Sequence, residues 1–434
     1  MKKTQIITID PKMFINKPYI KCSSCKKENC FGVLMINPNH YTRRCLECRH
    51  DETYTLPELN KKVIYLDQFV ISNMMKAINE KLGKTGKVDK TYLKMFETLD
   101  TLVKMQLIVC PDSHFQRQES LLSFYTALKR MYEHLSHGTT FYDRLTIERF
   151  QVDEGFKASI KKEDFDWKSL GIDDVLLGDR NEWQGRFLIT VNSQIKQQEI
   201  NDFQSLRLKI HEQVKNLFEG WKKDKNKSFN DYFRGNLPVY GHRIVKSYIE
   251  SIMQYMQVSL GIKTLTPEEM IPVMMGEESI IFSTLQRHLP AGEKDDEKLK
   301  AVISYLQSNK THILPFNEIY SALWASIAYQ AETGGRTTPP NIGMVNDIEM
   351  VSTLMPYCDA MFIDRDMHSL LNFGGVKRVI TKYNTKIFSL SNKEEFFNYL
   401  TEIKNNASKN HTEIIKEIYG KDWPSPFFEM FQRE

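Results

Sequence analysis

The sequence predicts an α/β protein: a parallel sheet flanked by helices, interrupted by a large α-helical insertion and preceded by a small cysteine-paired module. Three observations carry that reading. Strand and helix signals alternate over residues 61–145 and again over 311–395, the order that parallel pairing requires. Residues 146–310 between them hold long Gln-, Lys- and Glu-rich helical stretches such as VNSQIKQQEINDFQSLRLKIHEQVKNLFEGW. The first 60 residues carry CSSC (22–25) and CLEC (45–48), nineteen residues apart. One sheet interrupted and then completed explains two separated α/β stretches more simply than two half-sized domains. Residues 396–434 close the chain as a helical segment.

In the first α/β stretch, VIYLDQFVIS (63–72) reads as a buried strand ending on Asp67, and LIVCP (107–111) as a second strand. Helical patterns lie around 69–80, 91–105 and 113–132. In the second, LPFNEIYSALWASIAYQ (314–330) reads as an amphipathic helix and GGRTTPPN as a loop. NDIEMVSTLMPY then reads as a helix, AMFID and TKIFSL as strands, and SNKEEFFNYLTEI as a final helix opened by a Ser391/Glu394 capping box. No internal repeat is present.

Composition is that of an ordinary globular chain, 41% hydrophobic and 26% charged over 434 residues. No apolar run is long enough to span a bilayer and the start, MKKTQIITIDPKMF, lacks a signal-peptide core, so cytoplasmic residence is expected. The net charge of +4 is local: residues 1–60 hold ten Lys/Arg against six Asp/Glu, and the remainder balances at 49 to 49. A basic N-terminal module favours an anionic partner.

Cys22, Cys25, Cys45 and Cys48 have the spacing of a structural zinc site, two thiolates from each C-x-x-C turn completing a tetrahedron. Four thiolates leave no open position for chemistry. Cys30, His40 and His50 read as surface or turn residues. Lys26, Lys27, Arg43, Arg44 and Arg49 surround the turns and are placed either to contact phosphates or to solubilise a small module. Residues 17–57 resemble a zinc ribbon, a kind of module that docks nucleic acid or protein.

The carboxylates form the second constellation. Asp67 and Asp364 directly follow apolar strands, while Glu119 lies on a helix that Ser113 and Gln116 can cap. Asp347 and Glu349 fall in the first turn of the helix starting at NDIEM, where Asn346 with Glu349 also fits a capping pattern. Asp359 reads as ending the preceding helix, and Asp366 as an N-cap or a rival to Asp364. In a parallel sheet, strand C-termini and following helix N-termini share one edge, so Asp67, Glu119, Asp347 and Asp364 are expected to converge there. Such a cluster requires a divalent cation, and hard oxygen ligands suit Mg²⁺ or Mn²⁺. Gln68 and Ser72 either orient Asp67 or face solvent, and His114 reads as structural. Cys110 and Cys358 read as core thiols.

With these residues in this order, the chain resembles the PIN-like nuclease superfamily over about 61–135 and 311–395. The match runs through an aspartate after the first strand (Asp67), a glutamate on a following helix (Glu119), an aspartate opening a later helix (Asp347) and one closing the next strand (Asp364, with Asp366 competing). The insertion is much larger than in compact members. The resemblance implies metal-dependent hydrolysis of phosphodiester bonds, in RNA rather than DNA, leaving 5′-phosphate and 3′-hydroxyl ends. It makes Asp67, Glu119, Asp347, Asp364 and Asp366 the catalytic candidates, with Arg117, Lys129, Arg130, Arg336 and Arg365 as candidate phosphate contacts. The architecture also suits a toxin or defence role, though no residue specifies one. The alternatives are a DNA nuclease of the same mechanism and a non-catalytic zinc-ribbon adaptor binding nucleic acid or protein.

Overall fold

A computed structural model describes residues 11–83, 89–121, 125–185, 197–426 and 428. Strands β1 (Asn16–Ile20), β2 (Phe31–Ile36), β3 (His40–Cys45) and β4 (Asp51–Thr55) form an antiparallel meander in chain order. The chain then enters β5 (Lys62–Leu66), α1 (Gln68–Lys81), α2 (Lys90–Lys104), β6 (Ile108–Val109), α3 (His114–Leu121) and α4 (Tyr125–Ser136). The single helix expected over 113–132 is therefore described as α3 and α4, with 122–124 outside the described residues.

The middle region opens with β7 (Thr140–Phe141) and α5 (Arg144–Lys161), then β8 (Leu176–Leu177), α6 (Gln197–Trp221) and α7 (Phe229–Asn236). It continues through α8 (Val239–Ser259), α9 (Pro267–Met275), α10 (Glu277–Gln286) and α11 (Asp295–Leu306). The sheet is completed after α12 (Pro315–Glu332) and α13 (Ile342–Leu354) by β9 (Ala360–Phe362), α14 (Arg365–Leu371), α15 (Gly374–Ile380) and β10 (Lys386–Phe388). Helices α16 (Lys393–Asn405) and α17 (Lys409–Tyr419) follow.

The central sheet is parallel throughout, in the order β10-β9-β5-β6. Period-two alternation divides its side chains between two cores. Val63, Tyr65, Val109 and Met361 join α12, α13 and part of the middle region on one face. Ile64, Leu66, Ile108 and Phe362 join α1, α2, α4 and α16 on the other. From β5 the chain crosses to β6 on one side, and from β9 it crosses to β10 on the other, so β5 and β9 flank the point where the winding reverses. The crevice outside the carboxyl ends of those two strands is where such sheets bind ligands.

Several local expectations are corrected. Helix α12 is not amphipathic: 13 of its residues are buried, because α7, α13 and α15 enclose it. Helix α13 begins at Ile342, capped by the Asn341 side chain accepting from Met344 N at 2.8 Å, so Asn346 and Glu349 do not cap it and Asp347 lies in its second turn. Ser391 and Glu394 make no capping box either. Ser389 and Asn392 supply it two residues earlier. The middle region is not helical alone, since β8 pairs with β7, and Phe218 of α6 and Tyr232 of α7 sit in the sheet's own core. A separate core forms where α5, α8, α10 and α11 meet. No helix among the described residues is long and apolar enough to cross a membrane.

Candidate functional site

Both cysteine turns are built alike. Cys22 N donates to Lys27 O at 3.0 Å and Cys45 N to His50 O at 2.8 Å, the same five-residue span. Lys26 and Arg49, each directly after the second cysteine of its pair, take the left-handed backbone conformation at φ 60° and 61°. These matched turns bring one sulfur from each of Cys22, Cys25, Cys45 and Cys48 within 4.8 Å of one another. The Cys22–Cys48 and Cys25–Cys45 sulfurs are each 3.7 Å apart. Burial opposes ionisation of Cys45, but N–H groups of Cys48 and Glu47 aimed at its sulfur outweigh it and bring the thiol down to about 6. Burial instead pushes Cys22 up to about 11. Four converging thiols with one readily ionised fit a thiophilic cation.

The surroundings of this cluster differ from the expectation. Cys30 is not a surface residue: it is buried, with its sulfur 3.5 Å from that of Cys45. Arg43 is fully buried and so not a phosphate contact. Its guanidinium donates to the carbonyls of Pro18 (2.9 Å), Phe31 (3.0 Å) and Glu417 (2.7 Å), clamping the N-terminal meander onto the end of α17. Tyr41, one pleat away on the same face, donates to the Glu417 carboxylate. Lys27 and Arg44 pair with Glu47 (3.0 Å) and Asp51 (3.9 Å) on the surface. His40 bonds to Asn37 and Asn39, and His50 to Glu52.

At the carboxyl edge of the parallel sheet, carboxylate oxygens of Asp67, Asp347 and Asp364 lie within 4.8 Å of one another. Asp67 leaves β5 and starts α1, yet its side chain makes no capping hydrogen bond and remains available to the crevice. Asp364, the second residue beyond β9, accepts from Met367 N at 2.7 Å, so it is the cap of α14. Asp347 reaches the same point from α13, which packs on α12 and α14.

Glu119 lies outside that group of three but close enough to act on it. The α3 start is held by the Ser113/Gln116 box read from the sequence, with Ser113 N donating to Gln116 Oε1 at 2.8 Å. Gln116 Nε2 also donates to Leu66 O, the carbonyl just before Asp67, which sets α3 beside the crevice. Burial first, then the charges of Glu119 and Asp364, push Asp67 up to about 8. Burial and the charges of Asp67, Asp364 and Glu119 likewise raise Asp347 well above the carboxylate range. Without a counter-charge Asp67 retains its proton near neutrality, the behaviour of a hard oxygen donor that a cation would complete.

The other acidic candidates lie elsewhere. Asp366 is exposed in the first turn of α14, outside the group of three, with the Arg336 guanidinium near enough to interact. Asp359 sits at the opposite sheet edge, accepting from Val63 N and Lys62 Nζ, both at 2.8 Å, and so tying β9 to β5. Glu349 faces Arg144 at 3.7 Å. Burial brings His114 down to about 4 and keeps it neutral. Gln68 and Ser72 are half-buried. Cys110 and Cys358 are buried, as expected of core thiols.

Among the basic candidates, Arg117 forks onto Asp112 at 2.8 and 3.1 Å, and Lys129 lies 3.7 Å from Glu133. Arg336 is half-buried and donates to Thr338 O at 3.1 Å, while Arg365 is exposed beside Asp364. No protein-family model, curated protein or solved structure matches the chain.

Proposed function

We propose that the chain is a metal-dependent nuclease whose parallel sheet is PIN-like, acting on RNA in preference to DNA. The observation that carries this is the convergence of Asp67, Asp347 and Asp364 from three separate elements on the crevice between β5 and β9. In this reading the three carboxylates hold Mg²⁺ or Mn²⁺, with Glu119 beside them. The bound ion would acidify a water and neutralise charge on the phosphate.

The chain's own residues set the geometry of the reaction. The strand ends fix Asp67 and Asp364 on adjacent strands, so the scissile phosphate must approach along the crevice. Asp347 closes the third side, and Glu119 adds negative charge that favours a proton leaving the attacking water. Hydrolysis forms a bond from water oxygen to phosphorus and breaks the bond to the 3′ oxygen, leaving 5′-phosphate and 3′-hydroxyl ends. An acidic crevice repels polyanions, so Arg336 and Arg365 on its rim supply the opposing charge. The four-cysteine ribbon would hold a structural zinc and dock nucleic acid or a protein partner.

The test is cleavage of labelled single-stranded RNA and DNA side by side, with Mg²⁺ or Mn²⁺ and with EDTA. Metal-dependent cleavage that disappears in Asp67→Asn supports the reading. Undiminished cleavage by that variant, or turnover after removal of the divalent ions, overturns it. Affinity for nucleic acid without turnover would instead indicate the non-catalytic adaptor.

A further inference from the structure

The helical hairpin α8–α9 carries an apolar surface that no element described above covers. The far half of α8 leaves its own core behind: Tyr240, Ile244 and Val245 are buried, whereas Ile249, Met253, Met256 and Leu260 face solvent. Their spacing is four, three and four residues, the repeat of a helix-to-helix seam rather than of a solvated face. Helix α9, which packs on α8, adds Ile271, Met274 and Met275, at a spacing of three and then one, also in solvent. These seven side chains are 41–72% exposed.

We propose that this hairpin is the dimer interface for a second copy of the chain, two hairpins meeting about a two-fold axis as a four-helix bundle. At these exposures the seven residues present on the order of 750 Å² of apolar surface, close to the ~800 Å² each partner contributes to a stable interface. The largest such patch on a typical monomer is about 300–600 Å². Self-pairing further requires a face that does not repel its own copy. From Ile249 to Met275 the charged residues are Glu250, Lys263, Glu268 and Glu269, none of them at a stripe position. A uniformly apolar seam with helical spacing is self-complementary in this sense, and bundles of paired hairpins bury such seams.

Sedimentation velocity on the full chain at micromolar concentrations tests the proposal. The expected species has twice the 50.9 kDa chain mass and persists in high salt, since apolar contacts are not screened. Met256→Glu and Met256→Gln should each weaken the dimer at least tenfold with unchanged circular dichroism, the second variant removing the apolar contact without adding charge. Met35→Glu, at an exposed apolar position on the ribbon, should leave it intact. A wild-type chain sedimenting at the single-chain mass, or a dimer indifferent to both Met256 variants, would overturn it. So would a monomer that floats with neutral lipid vesicles through this hairpin, which would assign the face to lipid.

Discussion

The backbone N–H of Asp67 donates to the carbonyl of Phe362 at 3.0 Å, stitching the first residue beyond β5 to the last residue of β9. With Leu66 paired to Phe362 in register, the residues that follow the two strands must emerge side by side. Asp67 is thus level with Ile363, and strand pairing brings Asp364, one residue further on, beside it, although 296 residues lie between the two in sequence.

That relationship separates Asp364 from Asp366. Asp364→Asn should reduce cleavage by two or more orders of magnitude. Asp366→Asn should stay within a few-fold of wild type, because its carboxylate is exposed and outside the converging group. Single-turnover rates of the two variants at saturating Mn²⁺ make the comparison. The reverse ranking would reassign the site.

The acidic cluster fixes a pH dependence. The carboxyl of Asp67 stands at about 8 in the folded chain against about 3.9 in a free side chain. The folded state thus holds a proton that the unfolded state releases first. Stability of the metal-free protein is full below about pH 4 as far as this group is concerned, declines as pH rises through that window and levels above about pH 8. Asp67→Asn should flatten the decline. Added Mn²⁺ should raise the melting temperature more at pH 8 than at pH 5.5, by calorimetry, because ionised carboxylates bind the ion.

The Asp67 and Asp364 positions were legible in the sequence because each follows an apolar run, and the four cysteines because their spacing repeats. The start of α13 was not. Asn346 and Glu349 imitate a cap, while the true signal lay five residues earlier, where Asn341 follows two prolines that cannot sit inside a helix. The burial of Arg43 is legible in HYTRRC, where it alternates with Tyr41 and Cys45, so the period of a strand points it inward with them. Cys30 left no signal, lacking a second cysteine at turn spacing. The surrounding of α12 depends on helices contributed by the middle region, which no local pattern reveals.

Arg43→Ala should be strongly destabilising. It leaves the carbonyls of Pro18, Phe31 and Glu417 without this donor, and the buried one, that of Phe31, alone costs about 1–3 kcal/mol when unsatisfied. Lysine supplies a point charge in place of the fork and should rescue little of the loss. Chemical denaturation of the three proteins measures the effect, and a change near zero would remove Arg43 from its clamping role.

If the four cysteines hold zinc as proposed, Cys45→Ser should release it, because the substitution removes the sulfur that accepts from Glu47 and Cys48. Metal analysis of the purified protein should fall from one zinc per chain to a small fraction. The ribbon would lose protection from proteolysis over 17–57 while the parallel sheet stays folded, since the two sit on separate cores. Unchanged zinc content would place the ion elsewhere.

The most direct measurement is anomalous diffraction from crystals soaked in Mn²⁺. A peak is expected between Asp67, Asp347 and Asp364, within coordinating distance of an oxygen from each, that vanishes in Asp67→Asn crystals. An empty crevice at saturating Mn²⁺, or a peak held by other side chains with these three carboxylates uninvolved, would contradict it.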